Sequence, residues 1–211
     1  MGTKINERVE ISAPKMRTVN FKIEGTAPLV MNKFSHKAKE QMMKIMEAGS
    51  QSKKGSKREA NDFNECYESA TYRNGSRKGW IGLPATAIRS AMVRACSLVG
   101  FTMTHAKLGL FIEADGVDFE DGTPLIKLNG EPRKLEAKVR NDNGGADIRI
   151  RPMFEKWDAA VRIRYDEDMF SSADVANLLL RVGLQVGLLE GRPSSTKSCG
   201  MGWGLFKIAS K

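Results

Sequence analysis

The chain has 211 residues, 41% of them hydrophobic, and a formal net charge of +9, a composition that suits one globular domain with a sizeable core. No apolar run approaches the ~20 residues of a membrane span. The opening MGTKINERVE has no signal-peptide pattern, and Asn6 stands where a myristoylation signal needs a hydroxyl, so no membrane partner is expected and the expected location is the cytoplasm.

Residues 1 to 17 show no stable period and read as an arm. VNFKIEG, 19 to 25, alternates Val19, Phe21 and Ile23 with polar residues, the pattern of a half-buried strand. A loop, TAPLVMNKF, leads to Ser35, a fitting N-cap for a helix with Ala38, Met42, Ile45 and Met46 at helical spacing and Gly49 at its end. SQSKKGSK is small, polar and basic, and residues 58 to 71 suit a second short helix. Asn74-Gly75 within TYRNGSRKGW is the strongest local hairpin signal. Pro84 then opens a helix over 85 to 99 whose apolar stripe is Ala87, Ile88, Ala91, Met92 and Ala95, closed by Gly100.

KLGLFIEA, 107 to 114, reads as a strand, and residues 124 to 140 read as two shorter ones before the loop NDNGGAD. AAVRIRYD, 159 to 166, places Val161, Ile163 and Tyr165 on one face and Arg162 and Arg164 on the other. A helix over 172 to 186 starts at Ser171, with Asp174 placed for a capping box. A glycine-rich loop follows, and LFKIA within 204 to 209 makes the last strand. The expected class is α+β, a single domain over 1 to 211 with a βαββαβ core of the ferredoxin-like and RNA-recognition (RRM-like) kind. Two long excursions, 26 to 84 and 115 to 157, interrupt that core.

Positive charge is clustered. Between Lys33 and Arg58 lie Lys33, Lys37, Lys39, Lys44, Lys53, Lys54, Lys57 and Arg58 against Glu40 and Glu47, and from Tyr72 to Arg94 there are five cations and no carboxylate. Such clusters are the footprint of a polyanion binder, because neutralising phosphates releases counterions. Tyr72, flanked by Arg73, Arg77 and Lys78, could stack on a base, and Arg89 adds a cation on the first core helix. In LLEGRPSSTKSCGMGWG, Arg192 and Lys197 are candidate phosphate partners while Gly200 and Gly202, in an extended segment, would leave a bare backbone for close approach.

Other chemistries fit less well. GRPSSTKS departs from a P-loop at Thr196 and follows a helix instead of a strand. Ser194 and Lys197 have a serine-lysine spacing, but in a segment rich in Gly and Pro. His36 and His105 are the only histidines, and Cys66, Cys96 and Cys199 lie far apart with no metal-ligand spacing. No catalytic residue, metal site or cofactor is assigned.

GLLEGRP running into GMGWG and LFKI resembles the C-terminal signature of the RAMP superfamily, which includes the backbone subunits of CRISPR effector complexes. IEGTAPLVMNKFS and WIGLPATAIRSAMVRA resemble the same family, and Leu189 to Pro193 loosely match the ending of certain phage-type proteins. The resemblance implies an RNA-recognition-like core with finger-like (26 to 84) and thumb-like (115 to 157) insertions, polymerised along a strand of RNA. Target-cutting members carry an aspartate after the first strand; here no Asp or Glu occurs from Gly25 to Lys39, which disfavours metal-assisted cleavage. The expected function is a non-enzymatic protein that coats single-stranded RNA or DNA through its backbone as a homo-oligomer or filament. The alternatives are a metal-independent ribonuclease using His36 or His105, and a protein-binding decoy acting on a RAMP-type assembly.

Overall fold

In the computed structural model, the described residues are 11–34, 40, 43, 44, 46, 47, 62–140, 146–196 and 200–209. Of the expected helix capped by Ser35, only residues 40, 43, 44, 46 and 47 are described, and these are helical.

The class is α+β, with antiparallel sheets. β1 (Met16–Gly25) begins inside the expected arm and buries Ile23 fully, with Val19 and Phe21 packed against the core. It pairs along nine positions with β9 (Asp158–Asp166), from Met16↔Asp166 to Glu24↔Asp158, and at its far end with β10 (Phe206–Ile208). β9 in turn carries β4 (Leu110–Glu113) beside its C-terminal half and β6 (Pro124–Asn129) beside Asp158 and Ala159. The order β10-β1-β9 continues through β6 to β3 (Gly82–Pro84), with β5 (Gly116–Val117) on β6. A second sheet has the order β2-β8-β7, from β2 (Leu29–Val30), β7 (Pro132–Arg140) and β8 (Ala146–Phe154).

Strict alternation gives the large sheet two unlike faces. Ala159, Val161, Ile163 and Tyr165 of β9 point into the core under the helices. α2 (Ala85–Ser97) buries Ile88, Ala91, Met92, Ala95 and Cys96, and α4 (Ser172–Arg181) buries Val175, Leu178 and Leu179. The capping box at α4 is present: the Asp174 backbone N–H donates to Ser171 Oγ at 3.1 Å, and the Ser171 N–H donates to Asp174 Oδ2 at 2.9 Å. That hydrogen bonding holds the Asp174 carboxyl below the ordinary carboxylate range. From Val182 to Val186 the helix widens into π-helical turns and stops at Gly187, whose φ is 71°. There it presses on β10: a Cβ at Gly183 would lie 2.2 Å from the Phe206 carbonyl oxygen.

Several expectations are corrected. Lys107 to Gly109 belong to α3 (Met103–Gly109), not to a strand; a helix here leaves Leu108 in solvent while Gly109 fits against Met169 and Phe170. α1 (Phe63–Ser69) is shorter than the expected helix because Asp62 caps it, accepting from the Asn64 and Glu65 N–H groups. Asn74-Gly75 does not form a two-residue hairpin. The chain reverses over a wider loop, in which the Asn74 N–H donates to the Trp80 carbonyl at 3.0 Å and isolated bridges join Arg73 to Ile81 and Asn74 to Asp118. β8 was not expected at all: Arg149 and Arg151 interrupt its apolar residues and Pro152 discourages a strand, yet it pairs with β7 at nine positions.

Candidate nucleic-acid interface

α2 is the element on which the site is built. Thr86, Ser90 and Arg94 lie four residues apart and are all exposed, so they form one stripe along the helix with about 6 Å of rise between neighbours. Opposite runs the segment from Val186 to Ser194, and α3 closes one end with Met103 and Lys107. The groove between them has a volume of about 540 Å³. Among the described residues its titratable lining groups are Arg89, Arg94, Lys107 and Arg192, all cationic, joined by the hydroxyls of Thr86, Ser90 and Ser194.

The four cations are held differently. Arg89 Nε donates to the Leu110 carbonyl at 2.8 Å and Nη2 to the Lys107 carbonyl at 2.5 Å, while its guanidinium lies 5.0 Å from the centre of the Phe111 ring. These bonds fix the charge in place without neutralising it. Arg192 Nη1 donates to the Leu189 carbonyl at 2.8 Å. Leu189 has a φ of 58°, a left-handed conformation that costs a side-chain-bearing residue roughly 1–2 kcal/mol, and this strained residue forms part of the groove wall. Ser194 Oγ is buried without a hydrogen-bond partner among the described residues. The Arg94 guanidinium and the Lys107 ammonium make no ion pair among the described residues.

The glycine loop closes on itself, and the expected extended segment is not formed. Gly200 and Gly202 both have a φ of 73°, and the Met201 and Trp203 N–H groups both donate to the Gly191 carbonyl, at 2.7 and 3.2 Å. Left-handed glycines turn the chain, so no bare ladder of N–H groups faces one way. The two differ in surroundings: a Cβ at Gly200 would lie 2.4 Å from the Arg192 carbonyl oxygen, whereas one at Gly202 would meet nothing within 4 Å. Trp203 packs its ring on Gly191 and so ties the loop to the groove wall. Lys197 lies outside the described residues, as do Lys37 and His36.

Lys33 is not a surface cation. Only 4% exposed, it donates to Asp118 at 2.5 Å and to Glu120 at 2.7 Å, and its ammonium sits over the rings of Tyr72 and Phe119. Burial pulls this ammonium down, but the hydrogen bonds and charges of Asp118 and Glu120 outweigh it and hold its pKa above the usual lysine value. The expectation that Lys33 contacts phosphate is therefore withdrawn. Tyr72 is half-buried against the core, and burial, aided by the Asp121 carboxylate, raises its phenol pKa. Arg73 pairs with Glu68 at 3.2 Å and its N–H donates to Asp118. Arg77 meets both oxygens of Glu65, which raises its pKa, while Lys78 is exposed.

Arg162 and Arg164 lie on the open face of the large sheet. Arg162 bonds Asp115 at 2.8 Å and the Ala114 carbonyl at 3.1 Å, with Glu113 at 3.4 Å, and Arg164 lies 5.3 Å from the centre of the Phe111 ring. Nearby Lys22 and Lys207 face Glu24, so this face is largely charge-compensated. No family model and no curated protein matches the chain.

Of the expected contacts, the structure brings Arg89 and Arg192 to one groove and leaves Arg73, Arg77, Arg162 and Arg164 elsewhere. The groove adds Thr86, Ser90 and Lys107, together with Arg94, which belongs to the basic cluster of the sequence but carries no expected contact there. Their signal was the four-residue spacing of Thr86, Ser90 and Arg94 on one side of a helix whose opposite side is apolar. His105 is exposed on α3, and among the described residues no cluster of His, Cys, Asp and Glu could hold a metal ion. No helix among the described residues is long and apolar enough to cross a membrane.

Proposed function

We propose that the protein is a non-enzymatic binder of single-stranded nucleic acid, RNA or DNA, that holds the phosphate backbone in the groove between α2 and the Val186–Ser194 segment and assembles side by side along the strand. The observation that carries this reading is the sign of the groove: among the described residues every titratable lining group is a cation, while Lys22, Arg162 and Lys207 on the open sheet face stand against carboxylates. A polyanion gains counterion release in the first place and meets mixed charge in the second. The reading includes a ferredoxin-like core related to the RAMP superfamily. Supporting it, these elements follow in the chain as β1, α2, β4, β9, α4 and β10, and the four strands stand side by side as β10-β1-β9-β4, all antiparallel. In this reading 26 to 84 and 115 to 157 are its insertions.

Exchanging Arg94 and Lys107 together for glutamine removes two phosphate partners and no described ion pair. Affinity for unrelated oligonucleotides should fall alike, and the slope of log K against log salt should become shallower by about 1.4, at ~0.7 per single-strand contact. Arg162→Gln should leave the slope unchanged. An unaltered slope in the double variant, or a lowered one in Arg162→Gln, would move the strand off the groove.

A further inference from the structure

Among the described residues no aromatic ring lines the groove along α2, so it offers phosphates their counter-charges and bases no stacking partner. Such a ring stands on the open face of the large sheet. There a pocket of about 390 Å³ is lined by Trp80, Asp115, Lys127, Asn129 and Ala160. Strand alternation puts them there. Lys127 and Asn129 of β6 are exposed beside the buried Ile126 and Leu128, and Ala160 of β9 is exposed between the buried Ala159 and Val161.

Each lining group is fixed, and each keeps something unused. Tyr72 and Ile81, to either side of Trp80 in the chain, pack against the hydrophobic core, whereas the half-buried Trp80 ring lies over Gly116, where a Cβ would come within 2.9 Å of Trp80 Cζ2. An indole held this way in a polar pocket gains by covering its remaining surface with another flat ring. Asp115 Oδ2 accepts from the Lys127 backbone N–H at 2.8 Å and Oδ1 from Arg162 at 2.8 Å, so its charge is compensated while each oxygen keeps a further lone pair. Asn129 Nδ2 donates to Asp158 at 2.8 Å, which leaves Oδ1 as an acceptor with no partner among the described residues. The Lys127 ammonium makes no ion pair among them either. Two preset acceptors beside an aromatic ring fit a flat neutral ring with an amino group at its edge, and the free ammonium fits a phosphate attached to that ring. Cytosine and adenine carry such an amino group, where thymine presents a carbonyl oxygen.

We propose that this pocket seats one unpaired, amino-bearing nucleobase, stacked on Trp80, with its amino group donating to Asn129 Oδ1 and the Asp115 carboxylate and its phosphate at Lys127. The seat deepens the proposed function and rests on it for the source of the base, which is the bound single strand; a free nucleotide is the other source of the same chemistry.

The test uses the full chain and two probes: an oligothymidylate with one central 2-aminopurine, an amino-bearing base whose fluorescence falls when it stacks, and the free 2-aminopurine nucleotide. Wild type should quench the oligonucleotide and bind oligocytidylate about three- to tenfold more tightly than oligothymidylate of equal length, the worth of one or two hydrogen bonds. Trp80→Leu should abolish the quenching and weaken binding at least about fivefold, the low end of base–aromatic stacking, with the salt slope unchanged because no charge is lost. Asn129→Leu keeps the ring and should remove the preference for cytosine, and it decides the matter if Trp80→Leu fails to fold. Wild type that binds the strand without quenching, a folded Trp80→Leu chain that quenches normally, or equal affinity of wild type for the two homopolymers overturns the seat and leaves the groove to its own salt-slope test. Quenching of the free nucleotide by a wild type that binds no strand supports the seat and removes the strand reading instead.

Discussion

Replacing Lys33 by methionine separates two roles that a basic residue after the first strand can have. In the structure its ammonium is the counter-charge for Asp118, whose side chain is fully buried, and for Glu120, which is 20% exposed. Removing one member of a buried ion pair typically costs ~3–5 kcal/mol, because the other charge is left without compensation. Here the lower end applies: the Asp118 carboxylate still accepts from the N–H groups of Arg73, Glu120 and Asp121. A loss of about 3 kcal/mol at roughly 2–4 °C per kcal/mol for a chain of this size lowers Tm by about 6–12 °C. Lys33 pairing raises the folded-state pKa, so its contribution is complete below the unfolded value of ~10.4 and fades as pH rises through the folded one; the gap between wild type and variant should close only in strong alkali. Thermal unfolding measures the loss, and oligonucleotide binding below both melting points measures the function. An unchanged Tm together with a shallower salt slope would refute the buried Lys33–Asp118 pairing and return Lys33 to the phosphate contacts.

Ser171→Ala removes the N-cap of α4 and should cost about 1 kcal/mol in urea unfolding. Because the Asp174 carboxyl is held low by this cap, its share of the stability is present above the ordinary carboxylate pKa of ~3.9 and is lost as pH falls through the lowered folded value, so wild type and variant should converge in acid. Gly202→Ala meets open space and should cost only the left-handed backbone strain, about 1–2 kcal/mol, whereas Gly191→Ala adds a clash 2.4 Å from the Trp203 ring and should melt at a clearly lower temperature. Equal Tm values for these two glycine variants would mean that Trp203 does not pack as described.

Periodicity located the elements that bury one face. VNFKIEG and AAVRIRYD alternate with period two, and both became long central strands; Ala85 to Ser97 and Ser172 to Arg181 repeat at helical spacing, and both became helices. Where tertiary packing decides, the pattern misleads. KLG continues into an apolar run and reads as strand, but it ends a helix whose last residue, Gly109, packs closely beside Met169 and Phe170. ADIRIRPMF hides its strand because its partner, β7, supplies the hydrogen bonds that Pro152 and the arginines do not advertise. The site was half legible: charge counting found Arg89 and Arg192, but a count does not see a carboxylate brought from 85 residues away, as Asp118 is brought to Lys33. Nor does it distinguish a solvent-facing arginine from one that a distant aspartate has already engaged, as with Arg162 and Asp115.

The pairing of β1 also bears on how the chain is made. Its apolar residues Val19, Phe21 and Ile23 find Ile163, Val161 and Ala159 as partners, and its other edge waits for Phe206 to Ile208. With ~140 residues still to be synthesised at about 5–20 residues per second, the first strand spends roughly 7–28 s outside the sheet that will hold it. During translation the strand is thus a long-lived sticky edge, closed on its second side only once Phe206 to Ile208 have followed β9 out of the ribosome.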